Sequence, residues 1–241
     1  MARAVRFVLW DVKDTLLRVR RSVGQQYCEE AARLGLRLPA AEVQTAFGRA
    51  YRQHSARYPN YGTAQGLGAK AWWSGVVRDT FSQCGVGDQA LLDTLARNLY
   101  QGFSGPQTWE VFSDSERALQ SCVSLGLQQG VVSNFDKRLE VILHRCGLRP
   151  YFSFLVTSEE AGVAKPDPGI FRQALERCGV PAVNVAHVGD SYVNDYVTAR
   201  SLGIRGYLLD RSRGQELPTV PAGHRLHSLD ELPSVLVRDA D

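Results

Sequence analysis

Cysteine is scarce in this sequence, and its spacing argues against two classes of protein. The five cysteines are odd in number, and no two of them form a Cys-x-x-Cys pair. The pattern therefore favours neither a disulfide-stapled domain nor a zinc site, and indicates buried thiols in a reducing compartment. The five histidines show no metal-binding spacing such as His-Glu-x-x-His. We therefore expect the chemistry to depend on carboxylates, hydroxyls and lysine.

Long apolar runs and a strong net charge are also missing. No stretch approaches the about 18 consecutive apolar residues of a membrane helix. The first apolar run contains Arg6 and ends at Asp11, which is too short for a secretory signal. The formal net charge is only +3, and the basic residues are spread along the chain. We expect an intracellular protein, cytoplasmic or mitochondrial, with no membrane and no nucleic acid among its partners, and no pattern indicates its oligomeric state.

The residues that follow Leu17 have the helical period for about ninety positions. Apolar residues recur there at three- and four-residue spacing, which predicts helices over 22–35, 40–58, 69–84 and 88–103. Breaks rich in proline and glycine separate these segments. Trp72 and Trp73 are expected to pack between helices rather than to bind a ligand. The block predicts an all-helical domain at 17–108, inserted after the first strand.

The rest of the chain alternates between strands and helices. Apolar runs predict strands at 7–10, 130–132, 154–156, 183–188 and 206–209. Helices are predicted over 114–125, 136–147, 168–178, from about 191 to 202, and 229–237. Strands separated by such helices form right-handed crossovers and a parallel sheet. We therefore predict the α/β class, a Rossmann-like three-layer core with a parallel sheet, formed by residues 1–16 and 109–241.

Polar side chains follow four of the predicted strands. In an open α/β sheet, ligands bind outside the carboxyl ends of the strands, so we expect these side chains to share one crevice. His187 is different, because it lies within an apolar run and is expected to be a hydrogen-bonded interior residue. The candidate site residues lie at the strand ends, or, for Lys165, in the loop after the third strand. They are Asp11, Ser133, Asn134, Lys165, Asp190 and Asp195.

Four segments resemble, in this order, the four motifs of the haloacid dehalogenase (HAD) superfamily of hydrolases. They are WDVKDTLL, VVSNFD, AKPDPGIF and HVGDSYVNDY. The resemblance covers the whole chain, including a helical cap inserted just after the first motif. It implies a hydrolase of the phosphatase type whose substrate is a small phosphorylated metabolite.

The resemblance also assigns roles to the residues that handle phosphate. Asp11 matches the nucleophile that forms an aspartyl-phosphate, a role open to carboxylates. Ser133, with Asn134 beside it, matches the group that binds a phosphoryl oxygen. Lys165 matches the cation that neutralises Asp11 and the phosphoryl group.

A magnesium site is implied in the same way. Asp11, Asp190 and Asp195 match the carboxylates that hold Mg²⁺, a hard ion that prefers a few carboxylates and water. The backbone carbonyl of residue 13 would complete the shell.

Lys13 departs from the family motif. Family phosphatases have an aspartate at this position, which protonates the leaving oxygen and later activates water. Loss of a positioned general acid–base costs 10²–10⁴ in rate, and an ammonium group nearby would oppose the binding of a cation. Asp14 stands where the family usually has a small residue. Lys13 is therefore a candidate catalytic residue in an altered role, or an exposed turn residue that pairs with Asp14.

Three functions are compatible with this departure. The first and preferred one is a Mg²⁺-dependent phosphatase-like hydrolase with weak or narrow activity. The second is a dehalogenase or other non-phosphate hydrolase, since family dehalogenases also lack the second aspartate, although the retained acidic pair favours metal. The third is a non-catalytic relative that binds a phosphate ligand or a partner.

Overall fold

The described residues form two compact units. The computed structural model describes residues 5–212 and 219–238. One unit contains the described residues up to Arg18 and from Val111 onward, and the other is Val19–Glu110. These divisions lie two residues beyond the expected boundaries at 16 and 108. Among the helices of 5–212 and 219–238, none is both long and apolar enough to cross a membrane.

The sheet of the first unit has six strands and is parallel in every described pairing. The strands of the described residues are β1 (Phe7–Trp10), β2 (Leu17–Val19), β3 (Trp109–Val111), β4 (Gln128–Ser133), β5 (Phe154–Thr157), β6 (Val185–Gly189), β7 (Arg205–Leu209) and β8 (Arg225–Leu226). The order of the six-stranded sheet is β5-β4-β1-β6-β7-β8, so β1 lies between β4 and β6. The two short strands β2 and β3 form a separate two-stranded sheet.

The second unit is helical. It contains α1 (Val23–Arg33), α2 (Ala40–Arg57), α3 (Ala69–Gln83) and α4 (Gln89–Gly102). No strand occurs between residues 25 and 100, all of which the structure describes. Trp72 is buried against Ala50 of α2 and Val76 of α3, with Trp73 packed beside it, which confirms the expected packing role. The break after α2 holds a 3₁₀ turn, Asn60–Gln65, which the sequence did not predict.

Helices on opposite faces of the sheet complete the first unit. They are α5 (Ser115–Ser124), α6 (Leu139–Arg145), α7 (Ser158–Ala161), α8 (Gly169–Cys178), α9 (Thr198–Ser201) and α10 (Leu232–Arg238). Leu9 packs in one core cluster with Phe171 of α8. The next residue, Trp10, points to the opposite face and donates to Gln129, whose amide donates in turn to the Leu119 carbonyl of α5. The predicted α/β Rossmann-like class is thereby confirmed.

Several predicted elements differ in detail from the observed ones. The strand expected at 183–188 begins at Val185, because Pro181 leads into a 3₁₀ turn at Ala182–Asn184. The helix expected from about 191 to 202 begins as a π-helix, Tyr192–Val197, and becomes α-helical only in α9. Strands β2, β3 and β8 were not predicted, because two or three residues are too few to show a period of two.

Candidate active site

The candidate site lies at the carboxyl ends of three neighbouring strands. Asp11 follows β1 directly, Ser133 ends β4, and Asp190 follows β6. Trp10 is in register with Val131 of β4 and with Val188 of β6, so the three strands end at nearly the same level. Adjacent parallel strands therefore bring the three side chains to one edge of the sheet, as the sequence predicted.

Asp11 is at the centre of a buried hydrogen-bond network. Its Oδ1 accepts from Ser133 Oγ at 3.1 Å and from Lys165 Nζ at 2.7 Å. Lys165 Nζ also donates to Asp195 Oδ1 at 2.6 Å and to the Val132 carbonyl at 3.0 Å. All three N–H groups of the ammonium thus have an acceptor, and its position is defined from three directions. The network joins residues that lie up to 184 positions apart in sequence (195 − 11).

Asn134 holds the backbone of Lys165. Its Nδ2 donates to the Lys165 carbonyl at 2.8 Å, and its Oδ1 accepts from the Lys165 amide at 2.7 Å. This reciprocal pair fixes the loop that carries Lys165. The side chain of Asn134, expected to be beside a phosphoryl group, is therefore engaged in positioning the lysine.

The carboxylates Asp11, Asp190 and Asp195 form one acidic cluster. One oxygen atom from each lies within 4.8 Å of the others, close enough to share a metal ion. Burial, followed by repulsion from Asp11 and Asp195, raises the pKa of Asp190 to about 7. Burial also raises the pKa of Asp11, although Lys165 acts in the opposite direction. Carboxylates that repel one another in a partly dry site fit a hard divalent cation, which would relieve that repulsion.

Asp195 differs electrostatically from the other two carboxylates. Burial alone would raise its pKa, but the Lys165 ammonium and the hydrogen bond from His187 lower it overall. The pKa of Lys165 is raised in turn, because Asp11 and Asp195 outweigh the effect of burial. Lys165 and Asp195 are therefore a charged pair in the interior, with hydrogen bonds to satisfy both partners.

Gly189 allows Asp195 to lie directly against β6. A Cβ built on Gly189 would lie 2.2 Å from Asp195 Cγ, a distance that real atoms do not adopt. Because residues two apart in a strand share a face, Gly189 and His187 together form the surface on which Asp195 rests. His187 is buried and its Nε2 lies 2.9 Å from Asp195 Oδ1, which confirms the expected hydrogen-bonded interior histidine.

We expect Gly189→Ala to lower the free energy of unfolding by about 1–3 kcal/mol, the usual cost of overpacking. Asp195 must move, and Lys165 would lose one of its acceptors. Chemical denaturation measures the change. Gly87→Ala is the matched control, because a Cβ there meets no atom within 4 Å, and we expect a change of less than about 0.5 kcal/mol. Equal effects in both variants would show that Asp195 does not need the space at Gly189.

Thr15 is a site residue that the sequence analysis missed. Its Oγ1 lies 3.2 Å from Asp11 Oδ2 and 3.4 Å from Asp190 Oδ1, so one hydroxyl links two of the clustered carboxylates. The Thr15 carbonyl accepts from Arg211 Nη2 at 2.8 Å, and Arg211 is held by Asp114. A hydroxyl four residues after Asp11 in a tight turn was the available signal. Arg211, 196 residues away, offered none.

Lys13 is an exposed residue of the turn that follows Asp11. Its side chain is 54% exposed and forms an ion pair with Asp14. Asp14 has a φ of 64°, the left-handed region that favours glycine and that aspartate tolerates better than most residues. The small residue that the family usually has at this position therefore suits the turn, and Asp14 is accommodated there. Asp14 also contributes to the raised pKa of Asp190, so its charge acts on the acidic cluster.

Comparison with known proteins agrees with this fold. The chain belongs to the haloacid dehalogenase-like hydrolase family, whose model matches residues 5–203. It is 66% identical over 238 residues to haloacid dehalogenase-like hydrolase domain-containing protein 3 of Danio rerio, covering 98% of each chain. A 2-haloacid dehalogenase from Pseudomonas syringae pv. Tomato DC3000 has a TM-score of 0.70 at 25% identity, covering 97% of this chain and 99% of that one. A HAD phosphatase from Thermococcus onnurineus has a TM-score of 0.66 at 23% identity, covering 96% and 98%.

Proposed function

We propose that this HAD-like hydrolase is a weak or narrow phosphatase that acts on small phosphorylated metabolites. Asp11 is the nucleophile and forms an aspartyl-phosphate. The observation that carries the proposal is the contact of one buried carboxylate, Asp11, with both Ser133 Oγ and Lys165 Nζ beside the acidic cluster. A carboxylate nucleophile with a hydroxyl and a cation next to it is suited to phosphoryl transfer, which depends on positioning and charge neutralisation.

The residues of the site would divide the work as follows. A carboxylate oxygen of Asp11 bonds to phosphorus as the ester oxygen leaves, and water later hydrolyses the aspartyl-phosphate. Ser133 donates a hydrogen bond to a phosphoryl oxygen, and Lys165 neutralises the negative charge that Asp11 and the phosphoryl group bring together. Asn134 keeps the lysine in place through its two hydrogen bonds to the Lys165 backbone.

Asp11, Asp190 and Asp195 would hold Mg²⁺ in this scheme. The ion would supply positive charge to the phosphoryl oxygens and lower the repulsion among the three carboxylates. Thr15 would orient two of these carboxylates through its hydroxyl. The helical unit, Val19–Glu110, is proposed to act as the family's cap and to select the substrate.

The deficiency of the site is proton transfer. Position 13 has a lysine, whose ammonium is paired with Asp14, so no carboxylic acid is available there to protonate the leaving oxygen. The rate would therefore depend on the leaving group. Aryl and acyl phosphates, whose leaving groups need no proton, are expected to be better substrates than alkyl phosphates.

A turnover screen tests the proposal. Aryl, acyl and alkyl phosphates are incubated with the protein, with and without Mg²⁺, and released phosphate is measured. We expect Mg²⁺-dependent turnover of the aryl and acyl esters. No turnover of any ester, combined with binding of Mg²⁺ or phosphate, would instead support a non-catalytic relative whose retained site only binds ligand.

The second candidate is a dehalogenase. The observation that favours it is the 25% identity and TM-score of 0.70 to a 2-haloacid dehalogenase, together with the missing second aspartate. The acidic cluster argues against it, because displacement of halide by a carboxylate needs no cation. Release of chloride from 2-chloropropionate in the presence of a chelator would favour this candidate over the phosphatase.

Binding of Mg²⁺ is expected to become tighter as the pH rises through about 7. The pKa of Asp190 in the metal-free fold is about 7, above its ordinary 3.8, so at lower pH a proton competes with the ion. Because the folded protein binds this proton more tightly than the unfolded chain does, the contribution of Asp190 to the free energy of unfolding decreases as the pH rises from about 4 to above 7. Calorimetry at pH 5.5 and 8, in buffers of different ionisation enthalpy, measures affinity and proton release. Asp190→Asn should bind weakly at both pH values, and an equal pH effect in this variant would assign the proton to another group.

A further inference from the structure

His187 is a polar residue in the middle of the buried sheet. It lies on β6, its exposure is 0%, and the ring of Phe171 packs edge-to-face against it at 4.7 Å. Its Nε2 lies 2.9 Å from Asp195 Oδ1. Its Nδ1 is buried and, within residues 5–212 and 219–238, has no hydrogen-bond partner.

The contact with Asp195 defines which nitrogen carries the proton. Asp195 Oδ1 accepts from Lys165 Nζ and Oδ2 accepts from the Ser191 amide, so both oxygens of this carboxylate act as acceptors. Nε2 is therefore the donor, and Nδ1 is left as an unsatisfied buried acceptor. An unsatisfied buried acceptor destabilises the fold. Valine or leucine would pack at this strand position without that cost, so packing alone does not explain the histidine.

The hydrogen bond from His187 belongs to a linear chain of contacts that ends at Asp11. Asp195 Oδ1 accepts from His187 and from Lys165, and Oδ2 accepts from the Ser191 amide at 3.1 Å. Lys165 then donates to Asp11 at 2.7 Å. Every side chain in this chain is buried. The Asp195 carboxylate is therefore one of the three acceptors that define where the Lys165 ammonium lies relative to Asp11.

We propose that His187 is a positioning residue that holds the Asp195 carboxylate, and through it directs the Lys165 ammonium at Asp11. Three donors fix Asp195, namely His187 Nε2, Lys165 Nζ and the Ser191 amide. Without His187, the carboxylate can rotate about its bond to Cβ, and one of the three acceptors of Lys165 moves. The role in catalysis rests on the proposed function, whereas the positional statement can be tested without any turnover.

Three variants of His187 distinguish the effect of its hydrogen-bond donor from the effect of its side-chain volume. His187→Gln puts an amide donor close to where Nε2 stands. His187→Asn has a shorter side chain whose amide does not reach Asp195, and His187→Leu has no donor. With an aryl phosphate and saturating Mg²⁺, we expect kcat of the Gln variant to stay within about 3-fold of the original protein. The Asn and Leu variants should lose about 10–100-fold in kcat, the usual range for a residue that orients a ligand-binding group, with KM unchanged.

Crystal structures of the Gln and Leu variants test the positional role of His187 without any measurement of turnover. The Lys165 Nζ to Asp11 Oδ1 distance should be retained in the Gln variant and lengthened in the Leu variant, with the Asp195 carboxylate rotated. If His187→Leu does not fold, His187→Asn carries the same test. An unchanged distance in both variants, or a Gln variant as slow as the Leu variant, overturns the proposal. If the original protein hydrolyses no phosphate ester, the proposed function fails, and the crystal structures alone decide the role of His187.

Discussion

Asp11→Asn is expected to abolish hydrolysis of phosphate esters. Asparagine is nearly isosteric with aspartate, but its amide is not a nucleophile, so no aspartyl-phosphate can form. Removal of a covalent nucleophile costs on the order of 10⁶ in kcat where it has been measured, which for a slow enzyme leaves no detectable turnover. Phosphate release from an aryl ester measures the rate. When the reaction with an acyl phosphate labelled in its phosphoryl group is quenched with acid, label should remain on the protein only if Asp11 is present.

The control for this variant is Asp210→Asn. Asp210 is also a buried aspartate that follows a strand, β7, but its described contacts are with Ser212, Leu226 and His227 rather than with the acidic cluster. We expect its activity to remain and its thermal unfolding to report any general effect of removing a buried carboxylate. Turnover by Asp11→Asn above the level without enzyme would mean that a different group attacks phosphorus.

Lys13→Asp is expected to increase turnover of alkyl phosphates by about 10²–10⁴, the contribution of a positioned general acid. Asparagine or alanine could not have this effect, because neither supplies a proton. Aryl phosphates should gain much less, since their leaving group departs as a stable anion. The diagnostic measurement is therefore the ratio of alkyl to aryl turnover, which cancels any difference in the amount of active protein.

Lys13→Ala is the matched control, because it removes the ammonium without adding an acid. At about 5 Å and an effective dielectric constant of about 20, one ammonium opposes each unit of metal charge by roughly 3 kcal/mol. The true effect is smaller, since the Lys13 side chain is 54% exposed and is paired with Asp14. Both variants should bind Mg²⁺ more tightly, but only Lys13→Asp should gain alkyl turnover. If neither the Mg²⁺ affinity nor the turnover of alkyl phosphates changes in either variant, Lys13 is a solvent-facing turn residue without influence on the site.

Much of the fold could be predicted because the chain has strong local patterns. The run Phe7–Trp10 is apolar at every position, as expected for a strand covered on both faces. The four long helices of the second unit show apolar residues at the helical period. By contrast, β8 has only two residues and pairs with β7, so nothing local distinguishes it from a loop. The π-helix at Tyr192–Val197 likewise differs from an α-helix in its hydrogen-bond pattern, which the spacing of apolar residues does not reveal.

The sequence predicted which residues form the candidate site, but not which atoms each of them contacts. Asp11, Ser133 and Asp190 each end an apolar run, and parallel strands of one sheet bring such ends together. Thr15 and Arg211 were missed. Thr15 stands only four residues after Asp11, whereas Arg211 reaches the Thr15 carbonyl from 196 residues away, a contact that no sequence spacing encodes.

The sequence by itself determined the class of the protein: an α/β core with a helical insertion and four polar motifs at strand ends. These features follow from hydrophobic periodicity and chain order, which are local properties. Only the tertiary structure decided that Lys13 pairs with Asp14, that Asn134 holds the Lys165 backbone, and that His187 Nε2 contacts Asp195. Each of these depends on the direction in which a side chain points. Asn134 and Lys165 lie 31 positions apart, and His187 and Asp195 are separated by a strand end and a turn whose path no apolar spacing predicts, so only the folded chain brings each pair within hydrogen-bond range.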